Sequence, residues 1–264
     1  MTPPSEIAAA EEALDPDALT ISFTPVSATY KLSDDLIFRN EKRIAELVNQ
    51  TDRPVQFIFS GKAHPKDQGG KELIARVVQM SRKAEFRRRI VFIEDYDMNV
   101  ARYTAAASVD VWLNNPRRRS ASGTSGMKVP VNGGLNLSIL DGWWVEGYDG
   151  DNGWAIGAGE EYSDLTLQDE VESRSLYDLI DRDLVPLFYA GSDHLPRGWI
   201  RRMKRSISTL VPVFNTNRVL VEEYARAAFR LPTTDDTRNS LHRTCKRRRN
   251  SPSGDAASAT IGAM

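Results

Sequence analysis

A single cysteine, Cys245, stands in the 264 residues. It excludes an intrachain disulfide framework and leaves no cysteine-built metal site. Histidine is almost as scarce: His64, His194 and His242 are scattered with no HExxH or similar spacing, which argues against a zinc centre. An excess of one charge is also missing, since 35 Lys+Arg against 36 Asp+Glu leave a formal net charge of −1. Such a chain has no whole-protein attraction to nucleic acid or to a membrane surface. No apolar run approaches the length of a membrane span, and no signal peptide is recognisable. With one cysteine, the expected setting is a reducing cytoplasm. Internal repeats are absent, and so is the G-x-x-x-x-G-K-[ST] spacing of a nucleotide P-loop.

What is present is the composition of a soluble globular chain, 41% hydrophobic and 27% charged, with length enough for a substantial core. Residues 1–19 are acidic and Ala-rich, with a short helix expected over Ser5–Leu14, and read as a lead-in. Leu19–Phe23 alternates like a short strand and runs into a loop through Tyr30 and Lys31. Ile44, Leu47 and Val48 share one face of a helix over Glu41–Gln50, and Val55–Phe59 is a buried strand. A helix over Lys71–Arg82, a strand at Arg89–Ile93, a helix over Met98–Ala107 and strands at Val109–Leu113 and Leu135–Leu140 continue the pattern. Strands alternating with helices of this length predict a doubly wound α/β fold, a parallel sheet covered on both faces. C-terminal helices are expected over Leu176–Tyr189, Trp199–Val213 and Arg218–Arg230. The spacing gives one domain over 20–231 and a disordered tail over 232–264. Trp143, Trp144 and Trp154 read as packing under a long loop in preference to stacking on a sugar. The basic run Cys245–Arg249 reads as a solvated tail patch, so no nucleic-acid partner is expected.

In doubly wound sheets, ligands bind beyond the carboxyl ends of the strands. The unusual polar segments collect there: Tyr30-Lys31, Gly61–Pro65, Glu94-Asp95-Tyr96, and Asn114 through Lys128. The last contains Ser120-Ala121-Ser122-Gly123-Thr124-Ser125-Gly126-Met127-Lys128. Gly123 and Gly126 permit turned backbone, and Ser122, Thr124 and Ser125 place hydroxyls beside turned N–H groups. If such a loop opens a helix it is a phosphate cradle. Lys128 is expected about a helical turn beyond, desolvated by Val129, Val131, Leu135 and Leu137. A desolvated lysine beside a phosphate cradle can hold pyridoxal phosphate as a Schiff base. The bland alternative is a Gly/Ser surface loop ending in an exposed lysine.

The run SASGTSGMK followed by VNGGLNLSILDGWWVEG, with ATYK, VQFIFSGKAHP, VFIEDYDM and VDVWLNNPRR in order upstream, resembles the C-terminal domain of the α-glucan (glycogen/maltodextrin) phosphorylases, in their shorter bacterial type. The resemblance runs from about Ser5 to about Pro232. It implies the second, Rossmann-like domain of a GT-B glycosyltransferase, with pyridoxal 5′-phosphate on Lys128. It further implies phosphorolysis of α-1,4-glucan by inorganic phosphate to glucose 1-phosphate. By the same resemblance, Lys128 and Lys31 are the catalytic positions; Gly123, Thr124, Ser125 and Tyr96 border the cofactor; Tyr30, Ser122 and Gly123 meet the sugar.

Three departures accompany it. The family's basic residues ahead of ATYK are replaced by Pro25 and Val26, and Leu32 follows Lys31 where another basic residue is usual. Ser120 stands where the family has a sugar-binding glutamate. The family's first domain has no counterpart in this sequence. These departures define a second expectation, a truncated and catalytically impaired domain that binds the cofactor or a glucan, or that complements a separate N-terminal domain or pairs as a homodimer.

Overall fold

The computed structural model describes residues 14–23, 37–106, 109–116, 122–160, 162–191 and 195–224. The predicted helix over Ser5–Leu14, residues 24–36 with Tyr30 and Lys31, and the tail with Cys245–Arg249 therefore lie wholly or almost wholly outside the described residues. The chain divides into two compact units, 1–214 and 215–264.

In the first unit, strands β1 (Leu19–Phe23), β2 (Val55–Ser60), β3 (Ile90–Ile93), β4 (Val111–Asn114), β5 (Leu135–Ile139) and β6 (Gly153–Ile156) form one sheet in the order β3-β2-β1-β4-β5-β6. Every neighbouring pair is parallel. The chain winds outward from β1 to β3, returns across the sheet, and winds outward again from β4 to β6. This is a Rossmann-like doubly wound sheet, whose order reverses between β1 and β4.

Helices α1 (Glu41–Val48), α2 (Gln68–Arg82) and α3 (Met98–Ala106) supply the first three crossovers. Ile44, Leu47 and Val48 of α1 and Leu73, Val77 and Met80 of α2 are buried against the sheet. The helix expected from Lys71 starts earlier, at Gln68, because the Asp67 carboxylate accepts the Gly70 N–H at 2.9 Å and caps it there. All five residues of β1 are buried, so the alternation read there does not expose one side; a sheet covered on both faces buries both.

Beyond β5 come α4 (Trp143–Gly147), β6, α5 (Leu165–Leu179), a π-helical turn (Ile180–Leu184), α6 (Val185–Tyr189) and α7 (Arg197–Leu210). The helix predicted from Leu176 thus begins at Leu165, capped by Asp164, whose carboxylate accepts from Thr166 N–H. Its first half escapes a periodicity reading because the residues it buries are polar: Gln168, Asp169, Glu172 and Ser173. β6 is likewise unread, being a four-residue strand inside a Gly/Asp-rich stretch. Trp143, Trp144 and Trp154 are all packed, each at most 5% exposed. In the second unit, Asn215 caps a short helix, Thr216–Arg218, that continues as π-helix over Val219–Tyr224.

The central strands divide their side chains between two faces. Val111 and Leu113 of β4 and Leu135, Leu137 and Ile139 of β5 join the main core with Ile21, Phe57 and Phe59. Trp112 sits in a separate small cluster with Val129 and Val109. No described helix is long and apolar enough to cross a membrane.

Candidate cofactor and active site

The crossover from β4 to β5 carries no α-helix among its described residues. Two short 3-10 turns, Thr124–Lys128 and Pro130–Asn132, take its place. The segment lies on the side of β4 and β5 opposite the main core, because period-2 alternation sends Trp112, Asn114, Asn136 and Ser138 there. In register, Trp112 pairs with Asn136 and Asn114 with Ser138. These four side chains form the floor of the site.

The floor holds the glycine turn closely. Asn136 donates its amide N–H to Gly126 O at 3.2 Å, and Asn114 donates to Ser138 Oγ at 3.3 Å. The Trp143 backbone N–H donates to Ser122 O at 3.0 Å. Gly123 adopts φ +67°, a left-handed conformation in which a side chain is strained. At Gly126 an added Cβ would lie 2.5 Å from Asn136 Oδ1 and 3.1 Å from the Trp143 ring, so only glycine fits.

The first internal bond of the turn runs from Gly126 N–H to Gly123 O at 3.2 Å. The N–H groups of Thr124 and Ser125 precede it and donate to nothing within the turn. Ser125 Oγ is buried and has no hydrogen-bond partner among the described residues. The phosphate cradle expected from a helix start is therefore a single 3-10 turn. One turn sums few peptide dipoles, so an anion would be held by the N–H groups and hydroxyls themselves.

Lys128 is the last residue of this turn and not a helical turn beyond it. Because three residues complete a 3-10 turn, Ser125 and Lys128 lie on the same side of it. Lys128 is half-buried, and burial lowers its amine from the ordinary lysine value. The desolvating wall differs from the one expected. Val129 is buried, but Val131 is 64% exposed, and Leu135 and Leu137 point into the main core on the other face. Trp112 takes their place, with its ring centroid 5.4 Å from Lys128 Nζ.

The other positions named from sequence fall as follows. Ser122 and Thr124 are exposed and Gly123 is buried, all on the same turn as Lys128. Tyr96 follows β3, half-buried, with its phenol raised by burial. β2 and β1 lie between β3 and β4, so Tyr96 starts roughly 14 Å across the sheet from the β4 exit. Tyr30 and Lys31, like Pro25, Val26 and Ser120, lie outside the described residues. The 24–36 segment leaves β1, which neighbours β4 at the reversal of strand order, where doubly wound sheets bind ligands. The sequence placed Asn114 at the start of a polar segment on the ligand edge, but gave no role to it, to Trp112 or to Asn136. Their signal was polar and aromatic residues at alternate positions of otherwise apolar strands, VWLN and LNLSI.

Comparison with known proteins places the chain in a family. The model of the carbohydrate phosphorylase family matches residues 37–177, just over half of the chain. Maltodextrin phosphorylase of Thermococcus litoralis is 47% identical over 213 residues, 80% of this chain and 25% of that protein. Glycogen phosphorylase of Aquifex aeolicus is 44% identical over 209 residues, 78% of this chain and 30% of its own length. Glycogen phosphorylase of Mycobacterium tuberculosis is 42% identical over 217 residues, 80% of this chain and 25% of its own. The chain belongs to the carbohydrate phosphorylase family. It spans between a quarter and a third of the length of these relatives.

The residues present fit the pyridoxal phosphate that the family implies. Lys128 is desolvated, and on the same side of the turn Ser125 Oγ is a buried hydroxyl with no hydrogen-bond partner among the described residues.

Proposed function

We propose that this chain is the cofactor-bearing domain of an α-glucan phosphorylase, a hexosyltransferase that uses inorganic phosphate to release glucose 1-phosphate from α-1,4-glucan. The observation that carries the reading is a lysine amine lowered by burial, at the end of a glycine turn beside the reversal of strand order. An amine that is more often neutral is a better nucleophile toward an aldehyde. Lys128 Nζ would hold the cofactor's aldehyde carbon. The Gly123, Thr124 and Ser125 N–H groups would hold anionic oxygen, and Tyr96 would border the ring. When bound, pyridoxal phosphate would supply a phosphate group able to exchange a proton with the substrate phosphate.

The Lys31 ammonium would offset the repulsion between neighbouring phosphates, which is strong in a dry site. Tyr30, Ser122 and Gly123 would meet the terminal glucose. A first domain supplied by a separate polypeptide, or a second copy of the chain, would form the facing wall. Met98, which follows β3, Val145, which follows β5, and Leu165, which follows β6, are 89%, 59% and 53% exposed, apolar surface that such a partner would cover. The single cysteine fits a reducing cytoplasm.

The departures at Pro25, Val26 and Ser120 favour a second reading, cofactor or glucan binding without appreciable turnover. Removing one charge-assisted hydrogen bond from the transition state costs about 3 kcal/mol, roughly a hundredfold in rate. The purified chain is expected to take up pyridoxal phosphate with an absorbance band that survives gel filtration and is missing in Lys128→Ala. Persistence of the band in that variant would remove the cofactor assignment. Glucose 1-phosphate formed from maltodextrin and phosphate, by the chain alone or with a relative's first domain added, decides between the two readings.

A further inference from the structure

Trp112 is fully buried in the middle of β4, in register with Ser22 of β1 on one side and Asn136 of β5 on the other, with Val129 packed on it. Its indole Nε1–H has no hydrogen-bond partner among the described residues. A buried indole N–H without an acceptor is a cost that phenylalanine or leucine would not carry. What tryptophan offers beyond volume is the strongest π face of the side chains, and Lys128 Nζ lies 5.4 Å from its centroid, within cation–π range. We infer that Trp112 is a positioning residue for Lys128: its ring face holds the amine over the sheet at the exit of β4. The importance of this pairing for catalysis rests on the cofactor reading above, whereas the pairing itself does not.

The ring acts on the amine in two opposed ways. As an apolar wall it disfavours the ammonium, and as a π face it favours it. Among the described residues few other groups compete. The turns Thr124–Lys128 and Pro130–Asn132 and strands β4 and β5 contain no ionisable side chain besides Lys128 itself. Helix α7 packs on the second turn, with Met203 near Gly133. Its Arg202 is committed to Gly150 O and Gly153 O and its Arg205 to Asp149, and Lys204 is exposed. Burial lowers the Lys128 amine.

The test is competitive acetylation of the cofactor-free chain with acetic anhydride, followed by mass spectrometry of the Lys128 peptide from neutral to alkaline pH. Wild type, Trp112→Phe and Trp112→Leu are compared. Loss of the π face should lower the titration midpoint of Lys128 in the order Trp, Phe, Leu. Labelling at neutral pH should rise about three- to tenfold from wild type to Trp112→Leu. A residue that merely fills space predicts the reverse, because leucine would admit water and return the midpoint toward that of an ordinary lysine. An unchanged or raised midpoint overturns the inference. If Trp112→Leu fails to fold by circular dichroism, Trp112→Phe decides alone, since it keeps most of the volume and must still show a lower midpoint than wild type. Pyridoxal phosphate absorbance of the wild type is a separate arm: its absence defeats the cofactor reading and leaves the labelling order to judge the pairing.

Discussion

Strands β4 and β5 present opposite contents on their two faces. Toward the main core they direct Val111, Leu113, Leu135, Leu137 and Ile139, and toward the glycine turn Trp112, Asn114, Asn136 and Ser138. None of these residues is more than 6% exposed. Burial therefore does not distinguish core from site; the partner does. The apolar face meets other side chains and gains from leaving water. The polar face is satisfied only in part: Asn136 donates its amide N–H to the backbone of the turn that ends in Lys128, while its Oδ1, like Trp112 Nε1, has no hydrogen-bond partner among the described residues.

The two faces can be separated by substitution. The largest effect is expected on the core side, where Leu137→Ala leaves a cavity and costs about 2–5 kcal/mol in urea unfolding. Pyridoxal phosphate affinity of the folded variant should stay near wild type, and a parallel loss of affinity would break the comparison. Gly126→Ala is next. Its methyl must displace Asn136 Oδ1 or the Trp143 ring, for about 1–3 kcal/mol. Here the cofactor band should disappear as well, and a variant that retained it would show that the turn is looser than its close packing implies. Asn136→Ala removes the bond to Gly126 O, at a cost of about 1 kcal/mol, and should weaken cofactor retention more than it lowers stability.

The smallest effect concerns Lys128 itself. Burial lowers its amine in the folded state, so the unfolded chain holds the proton more firmly. The resulting destabilisation is fully present below the folded value and fades as pH rises toward the ordinary lysine value. Lys128→Met should therefore raise the melting temperature slightly at neutral pH, and that gain should shrink in alkaline buffer. A gain independent of pH would point to packing instead.

The alternating strands and helices from Leu19 to Ile139 were legible because their apolar residues keep periods of 2 and 3.6. The first half of α5 and the short strand β6 were not. Gln168, Asp169, Glu172 and Ser173 are buried by neighbours far away in sequence, which no local pattern announces. In the candidate site, Lys128, Gly123, Thr124 and Ser125 were picked out by a run of small residues ending in a lysine. The wall against which Lys128 rests could not. Val131, Leu135 and Leu137 follow it in sequence, yet Val131 is exposed and the two leucines belong to the other face of the sheet.

By itself the sequence determined the fold class and the family kinship and picked out the glycine–lysine stretch as a candidate site, because periodicity, glycines and a run of specific residues are local properties. Tertiary structure decided what that stretch is: a 3-10 turn seated on Asn136, with Trp112 under the lysine. The physical reason is parallel pairing. It brings Trp112 and Asn136 into register across a crossover and aligns them on one face, a neighbourhood that exists only once the sheet has formed.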